Sequence, residues 1–330
     1  MEDVAARAGV SRALVSLVFR DQPNVSAGRR SRVLEAAAAL GYRPNAMARS
    51  LASRRTRTVG VILDDLRNPF FAEIAGGVEQ FASDLGYRLL LAAGGRSGQR
   101  ERSALDALLE YRVDGVILVS PRMATQEIIA ASGQTPTVMV GRRVPGLDAV
   151  ITAEGVGVDL VLEHLVGLGH RRIVHMDGGK GAGATQRLAA FRRGMKRRGL
   201  EDLAAVIHGD FTQEAGERAA HELVDAAGPG GAGLPTAVFA ANDLVAAGAL
   251  GVFVQAGFKV PGEISLVGYD NISIARLAHV SLTTINQPRV AMGHDALELL
   301  LSRIDGREQP RILTLAPELV VRSTTAAPRM

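Results

Sequence analysis

Residues 4–20 read VAARAGVSRALVSLVFR. Two short apolar-periodic stretches flank Ala8-Gly9-Val10-Ser11, a compact helix-turn-helix pattern. The first helix is expected over Val4 to Ala8. Ser11 can N-cap a second helix through Phe19, with Leu14, Val15 and Val18 on one side. Asp21-Gln22-Pro23-Asn24 reads as a turn. Ser26 can cap a third helix, Arg29 to Leu40, which Gly41 ends. Pro44 and Asn45 then precede a short helical stretch, Ala46 to Ser53.

Charge crowds this head. Residues 1–57 hold eleven arginines, no lysine and four acidic residues, a net +7. The whole chain carries 38 basic and 34 acidic residues, so the remainder has 27 against 30, or −3. A basic head on a mildly acidic body points to a polyanionic partner for the head. A generally arginine-rich composition is the bland reading, but it does not by itself explain the asymmetry.

From Thr58 the pattern changes. TVGVIL is followed by YRLLLAAG, VDGVILVS, TPTVMVG, RRIVHMDG, AAVIHGD, PTAVFAAND and EISLVGYD. Most are β-rich runs separated by helical stretches of about ten to twenty residues, the mark of βαβ units in parallel sheets. They fall into two groups, before and after about residue 155. The fold class is therefore α/β: a small all-α head and short helix, then two doubly wound parallel-sheet subdomains. Ligands of such folds bind beyond the carboxyl ends of the strands.

Several functions are disfavoured. At 330 residues and 47% hydrophobic, the chain can bury a large core. It has no cysteine, which excludes disulfides and thiolate metal sites and fits a reducing compartment. No apolar run is long enough for a membrane span, and no secretory signal opens the chain, so a cytoplasmic protein without membrane partners is expected. GGKGAGATQR, residues 178–187, lacks the Gly-Lys-Ser/Thr order of a phosphate loop; a loop before a helix from Arg187 to Arg198 is the plainer reading. His164, His170 and His175 straddle a helix end, a turn and a strand, and no metal site or cofactor is expected. No catalytic constellation stands out, so no enzyme is expected.

At this point the chain resembles the LacI/GalR family of transcriptional regulators. The head carries DVAARAGVS from Asp3, Val15-Ser16, and RVLEAAAALGYRPNAMARSL from Arg32 to Leu51. The body carries NPFF from Asn68, VDGVIL from Val113, LGHRRI from Leu168, Asn242-Asp243, VGYDN from Val267 and TTINQP from Thr283. Each motif alone is weak; the ordered set is specific and spans nearly the whole chain. The resemblance implies a helix-turn-helix head (residues 1–44), a hinge helix and linker (45–57), and a sensor core of periplasmic-binding-protein type (58–330). Its two subdomains would comprise about 58–152 with 286–313, and about 153–285 with 314–330. Members act as homodimers or pairs of dimers, and the ending RSTTAAPRM lacks a leucine-repeat tail, so a homodimer is expected. Only Met1 and Glu2 precede Asp3, where members carry a few residues with a capping Thr or Ser. Either the natural head begins earlier, or Asp3 caps the first helix.

The resemblance also assigns roles in binding double-stranded operator DNA. The base-reading positions map onto Arg12, Ala13 and Leu17 of the recognition helix. Arg12 can fork onto a guanine edge, whereas Leu17 offers a thymine-methyl contact or a core position. Ser11, Ser16, Asn24, Ser26 and Arg30 are candidate phosphate contacts, with Ser11 and Ser26 equally readable as helix caps. In the hinge, Asn45, Ala48, Arg49, Leu51, Arg54 and Arg55 map onto the minor-groove segment, with Leu51 as the wedge.

Asn68, Phe70, Phe71, Arg142, Arg187, Asn242, Asp270 and Gln287 map onto the effector cleft. Rings for C–H faces and polar groups for hydroxyls suit a sugar-like small-molecule effector. Phe71 can instead be core, and Asp243 with Arg187 a structural pair. Gly141 stands where relatives often have Asp before the Arg, and Ala153-Glu154 replaces a common Asp-Asn pair. The rival readings are a sugar-binding protein with no regulatory role, which the basic head disfavours, and a regulator with a purine-type corepressor.

Overall fold

The computed structural model describes residues 1–19, 22–42, 55–228 and 233–329. They divide into two compact units, Met1–Thr56 and Arg57–Met330.

The described part of the first unit is three helices: α1 (Glu2–Ala8), α2 (Arg12–Phe19) and α3 (Ala27–Ala39). Gly9 ends α1 by taking φ 63°, which lets its N–H reach back to the Ala5 and Ala6 carbonyls. The Ser11 hydroxyl accepts a hydrogen bond from the Leu14 N–H at 3.2 Å and so caps α2. Two cap expectations are corrected. Met1, not Asp3, holds the N-cap position of α1; Asp3 lies within the first turn, where its charge still complements the helix dipole. Ser26 stands at the N-cap of α3, but its side chain makes no cap bond, and the helix starts at Ala27 rather than Arg29. The core is small: Val4, Val15 and Val33 are fully buried among Val18, Val25 and alanines. The hinge positions Asn45, Ala48, Arg49, Leu51 and Arg54 lie outside the described residues.

The second unit alternates strands and helices. In chain order these are β1 (Thr58–Leu63), α4 (Pro69–Asp84), β2 (Arg88–Ala93), α5 (Gly98–Glu110), β3 (Gly115–Val119), α6 (Thr125–Ser132), β4 (Thr137–Val140) and β5 (Asp148–Thr152). Then come α7 (Glu154–Gly167), β6 (Ile173–Met176), α8 (Ala184–Arg197), β7 (Ala204–Ile207), α9 (Gln213–Ala227), β8 (Ala237–Ala240), α10 (Asp243–Gln255), β9 (Ser265–Asp270) and β10 (Thr283–Asn286). The last elements are α11 (Arg289–Ile304), β11 (Ile312–Leu315) and β12 (Glu318–Val320). None of the described helices is long and apolar enough to cross a membrane.

Two six-stranded sheets result, ordered β11-β5-β4-β3-β1-β2 and β12-β10-β9-β8-β6-β7. All pairings are parallel except β12 with β10. The interior strands are buried along almost every residue, which is why they read as continuous apolar runs rather than alternating ones. The chain passes between the sheets after Thr152, after Asn286 and again after Leu315. The sequence pattern does not mark β5, β10, β11 or β12; these strands are three to five residues long, each carries at least one Thr, Asp, Asn or Glu, and they lie beside the crossings. The helix after the glycine-rich loop starts at Ala184, three residues earlier than expected.

Helices α4 and α11 cover one face of the first sheet and touch through glycines. A Cβ on Gly77 would lie 2.3 Å from the Val290 carbonyl oxygen, and one on Gly293 would lie 2.2 Å from that of Ile74. Neither backbone can yield without separating the helices. Gly293→Ala should therefore lower unfolding free energy by about 1–3 kcal/mol, the usual scale of overpacking. Urea denaturation reads this directly, and a parental midpoint would show that the helices have room to spare.

Candidate functional site

The carboxyl ends of both sheets meet across a cleft in the second unit. Its inner compartment is narrow and is lined by Asp64, Asn68, Phe70, Phe71, Ser120, Gly141, Glu154, Ala182, Arg187, Phe211, Asn242, Asp270, Gln287 and Met292. An outer compartment of about 670 Å³ shares Asp64, Asn68, Phe71 and Phe211 with it and adds Arg67, Arg96, Arg122, Thr212, Glu214 and Leu244, among others. Seven of the eight expected cleft residues line the inner compartment.

Two asparagines are built alike at opposite sides. Asn68 caps α4 by accepting from the Phe70 N–H at 3.0 Å. Asn242 caps α10 by accepting from the Val245 N–H at 2.9 Å. Cap geometry uses the carbonyl oxygen, so the amide nitrogen points elsewhere. In Asn242 that nitrogen donates to the Phe211 carbonyl at 3.2 Å. Phe70 and Phe71 pack edge to face with centroids 5.3 Å apart. Both rings belong to the hydrophobic core and both line the compartment.

Asp270 ends β9 at φ 113°, a conformation that L-residues rarely adopt. Its carboxylate accepts from Gln287 Nε2 at 2.6 Å, and the Thr152 hydroxyl donates to Gln287 Oε1 at 2.7 Å. Burial pushes the Asp270 pKa up to about 6, against the opposing pull of the Arg187 charge. Arg187 donates from Nε to Glu154 at 2.7 Å and from Nη1 to the Ala241 carbonyl at 2.6 Å. Its guanidinium carbon lies 3.7 Å from the Tyr269 ring centroid and 5.5 Å from that of Phe211. The expected structural pair of Arg187 with Asp243 is thus corrected: its carboxylate partner is Glu154. Asp243 is fully buried, accepts from the Thr284 hydroxyl at 2.5 Å and the Ile272 N–H at 2.8 Å, and is pushed well above the usual carboxylate range by burial and by neighbouring Asp270.

Arg142 is the exception among the expected cleft residues. Its guanidinium donates to the carbonyls of Pro121 and Met123 at 3.0 and 2.7 Å and to the Thr125 hydroxyl at 2.9 Å, so it braces the loop after β3 and lines neither compartment. The sequence reading missed Phe211. Its ring fills space that Gly178 and Gly181 leave open; a Cβ on either would lie within 2.4 Å of it. The glycine-rich loop is therefore a seat for an aromatic ring, which only the fold reveals. Also missed was an ion pair across the cleft, Arg96 Nη2 to Asp210 at 2.7 Å.

Histidines stand apart from this chemistry. His175 is buried against Phe191 and Phe239, donates from Nδ1 to the Phe239 carbonyl at 2.9 Å, and is depressed to about 4 by burial. Among the described residues one trio, His294, Asp295 and Glu298 on α11, brings metal-ligand atom types within 4.8 Å of one another. None of these three lines the cleft, and His294 bonds Asp295 and stacks on Phe81.

On the head, Arg12 and Ala13 are exposed and Leu17 is half-buried against the small core. Arg12 meets Glu2 at 3.2 Å, but both side chains are well exposed, so the pair holds little energy against a competing partner. Ser11, Asn24 and Ser26 are exposed and Ser16 half-buried. Arg30 is engaged within the head: Nη2 donates to the Gln22 carbonyl, in the turn after α2, at 2.8 Å. Arg55 is exposed.

Comparison with known proteins follows the same division. Residues 1–45 match the bacterial regulatory proteins of the lacI family, and residues 162–325 match a periplasmic binding protein-like domain. The chain is 34% identical to the HTH-type transcriptional regulator GalR of Escherichia coli over 337 residues, covering 100% of this chain and 96% of that protein. It is 33% identical to the HTH-type transcriptional repressor PurR of Photobacterium profundum over 331 residues, 98% of each. The solved structure of the Lac repressor dimer bound to operator and the anti-inducer ONPF superposes with TM-score 0.87 at 30% identity, over 98% of each chain.

Asp270 carries a pH signature. Its pKa is raised in the folded state, so its protonation stabilises the fold; that contribution is full below the ordinary carboxylate value near 3.8 and is lost as pH rises through about 6. Asp270→Asn keeps the acceptor for Gln287 and removes the charge. Its melting temperature should exceed the parent's at pH 7.5 by several degrees, with the gap closing by pH 4.5. A gap independent of pH would mean that Asp270 does not titrate in this range.

Proposed function

This chain belongs to the LacI family of bacterial regulatory proteins, and from that premise we propose that it is a transcriptional repressor whose homodimer grips a near-palindromic operator and responds to a sugar or sugar derivative in the cleft. The cytoplasm is its proposed place of action. The proposed division follows the chain: residues 1–44 bind DNA, 45–57 form a hinge, and 58–330 sense the effector.

The observation that carries this reading is the cleft's composition. Phe71 and Phe211 offer flat apolar faces, while Asn68, Asp270 and Arg187 offer polar groups fixed by a second layer of bonds. Aromatic faces with forked polar groups suit an alternating C–H and O–H surface. The exposed Arg12 supports base reading, because its partner Glu2 is exposed and can release it. One bidentate contact to guanine would supply about 1–3 kcal/mol of discrimination. Ser11 is a cap, and as an exposed hydroxyl at a helix start it remains a proposed phosphate contact.

Control requires an effector that binds one arrangement of the halves more tightly than another. The Arg96–Asp210 pair joins the loop after β2 to the loop after β7 across the cleft, and in this proposal it is a contact the effector would favour or break.

Two measurements test the proposal. In mobility-shift assays Leu51→Ala should weaken operator binding at least tenfold while leaving random-sequence binding within about twofold, as loss of a base-step wedge requires. Equal losses on both DNAs would reject the wedge. Asn68→Ser keeps the helix cap and deletes the free amide, so it should retain stability yet lose at least tenfold in affinity for whichever free sugar releases or tightens the operator complex. Unchanged titration by that sugar would remove Asn68 from the site.

A further inference from the structure

We propose that the cleft selects an uncharged, hydroxyl-rich effector over its phosphate ester, and that Glu154 sets this choice by neutralising Arg187. The proposal rests on the reading of the cleft as the effector site.

Arg187 is the sole basic side chain among the described residues lining the inner compartment. It would be the natural receiver for a phosphate. Yet its fork is occupied: Nε and Nη2 donate to the two Glu154 oxygens at 2.7 and 3.3 Å, and Nη1 donates to the Ala241 carbonyl. Three of five N–H bonds are spent and the charge is cancelled at contact distance. One N–H on each Nη remains, enough to serve a neutral hydroxyl. The pair is built in. Both side chains are largely buried, at 5% and 15% exposure. Gly183, at φ 80°, makes room for it, since a Cβ there would lie 2.9 Å from Glu154 Oε1.

The remaining charges point the same way. Asp64 is held by a bidentate Arg122 at 2.7 and 3.0 Å. Among the described residues no arginine donates a hydrogen bond to Asp270; the Gln287 amide holds Oδ1, so the carboxylate presents a further acceptor to the compartment. In the outer compartment Arg67, Arg96 and Arg122 each have a carboxylate within 2.9 Å: Asp65, Asp210 and Asp64. No arginine lining either compartment is left without a carboxylate. A phosphate entering here must face Glu154 and Asp270 at low dielectric, or break an existing pair and strand a buried carboxylate; both cost more than a surface encounter. A hydroxyl pair instead donates to Asp270 and accepts from Arg187 with no charge displaced.

The test uses the full-length protein and matched ligands. Calorimetric titrations would compare free glucose, galactose and ribose with glucose 6-phosphate, galactose 6-phosphate and ribose 5-phosphate; inorganic phosphate would be titrated against chloride at constant ionic strength. In the parent, a free sugar should bind at least tenfold tighter than its ester, and phosphate should show no saturable heat. Glu154→Gln keeps the shape and an acceptor for Arg187 but frees the cation, so it should bind inorganic phosphate saturably and narrow the sugar-to-ester ratio at least tenfold. An ester binding the parent as tightly as its sugar, or parental phosphate binding that Glu154→Gln leaves unchanged, overturns the proposal. The parental arms stand even if the variant fails to fold, and Asp270→Asn, with one carboxylate fewer, gives a second route to the same gain. Should no sugar or ester bind while phosphate is refused by the parent and accepted by Glu154→Gln, the sugar reading falls and charge selection by Glu154 survives.

Discussion

Gln287 ties the Asp270 carboxylate, which lines the inner compartment, to two of the places where the chain passes between its sheets. It follows β10 directly, at the second crossing; Thr152, its hydrogen-bond donor, ends β5 at the first; and Asp270, its acceptor, ends β9. The side chain is 2% exposed, so neither bond has a water substitute. An orphaned group in such a chain would carry its full desolvation penalty, which makes the network close to all-or-none. Movement of one half against the other therefore has to be accommodated at the crossings, while the geometry around Asp270 travels with them. A change in hydrogen bonding at Asp270 is thereby coupled to the crossings at Thr152 and Gln287.

Beside this chain the buried charges follow a consistent logic. Asp243 holds the backbone after β9 through the Ile272 N–H and the start of β10 through Thr284. Burial and the nearness of Asp270 both disfavour its ionisation. Two carboxyls so close, with one arginine already given to Glu154, leave the site short of positive charge. Polar ligands must then be recognised by hydrogen-bond direction, with little help from long-range attraction. Direction is what the fold fixes well: helix caps orient Asn68 and Asn242, and the β9 terminus orients Asp270.

Much of this was legible in the chain. Interior parallel strands are buried on both faces and read as apolar runs; the half-exposed edge strands β2 and β7 are apolar enough to be read with them, eight strands in all. The head was equally open to reading, because Gly9 and Ser11 are chemically required for a stop and a start within three residues. What stayed hidden was long-range. β11 and β12 are short and partly exposed strands whose identity depends on partners far away in sequence. Arg142 and Arg187 are both arginines near strand or helix ends, but one found carbonyls and the other a carboxylate 33 residues away. Phe211 carried no local signal; its trace was a glycine-rich stretch elsewhere in the chain, read as a plain loop when its glycines leave space for the ring.

The head poses a different balance. Its core is valine and alanine, small side chains that each remove little apolar surface from water. Its charge, dense in arginine, repels itself whenever the head is compact. A fold that is thinly stabilised and self-repelling gains most from a partner that binds only the folded form, and a polyanion supplies this twice: it screens the arginines and stabilises by mass action. Such a head is matched to DNA in its energetics as well as in its shape. The exposed pair of Arg12 with Glu2 fits that account, since an ion pair so open to solvent holds little energy and yields readily to a polyanion.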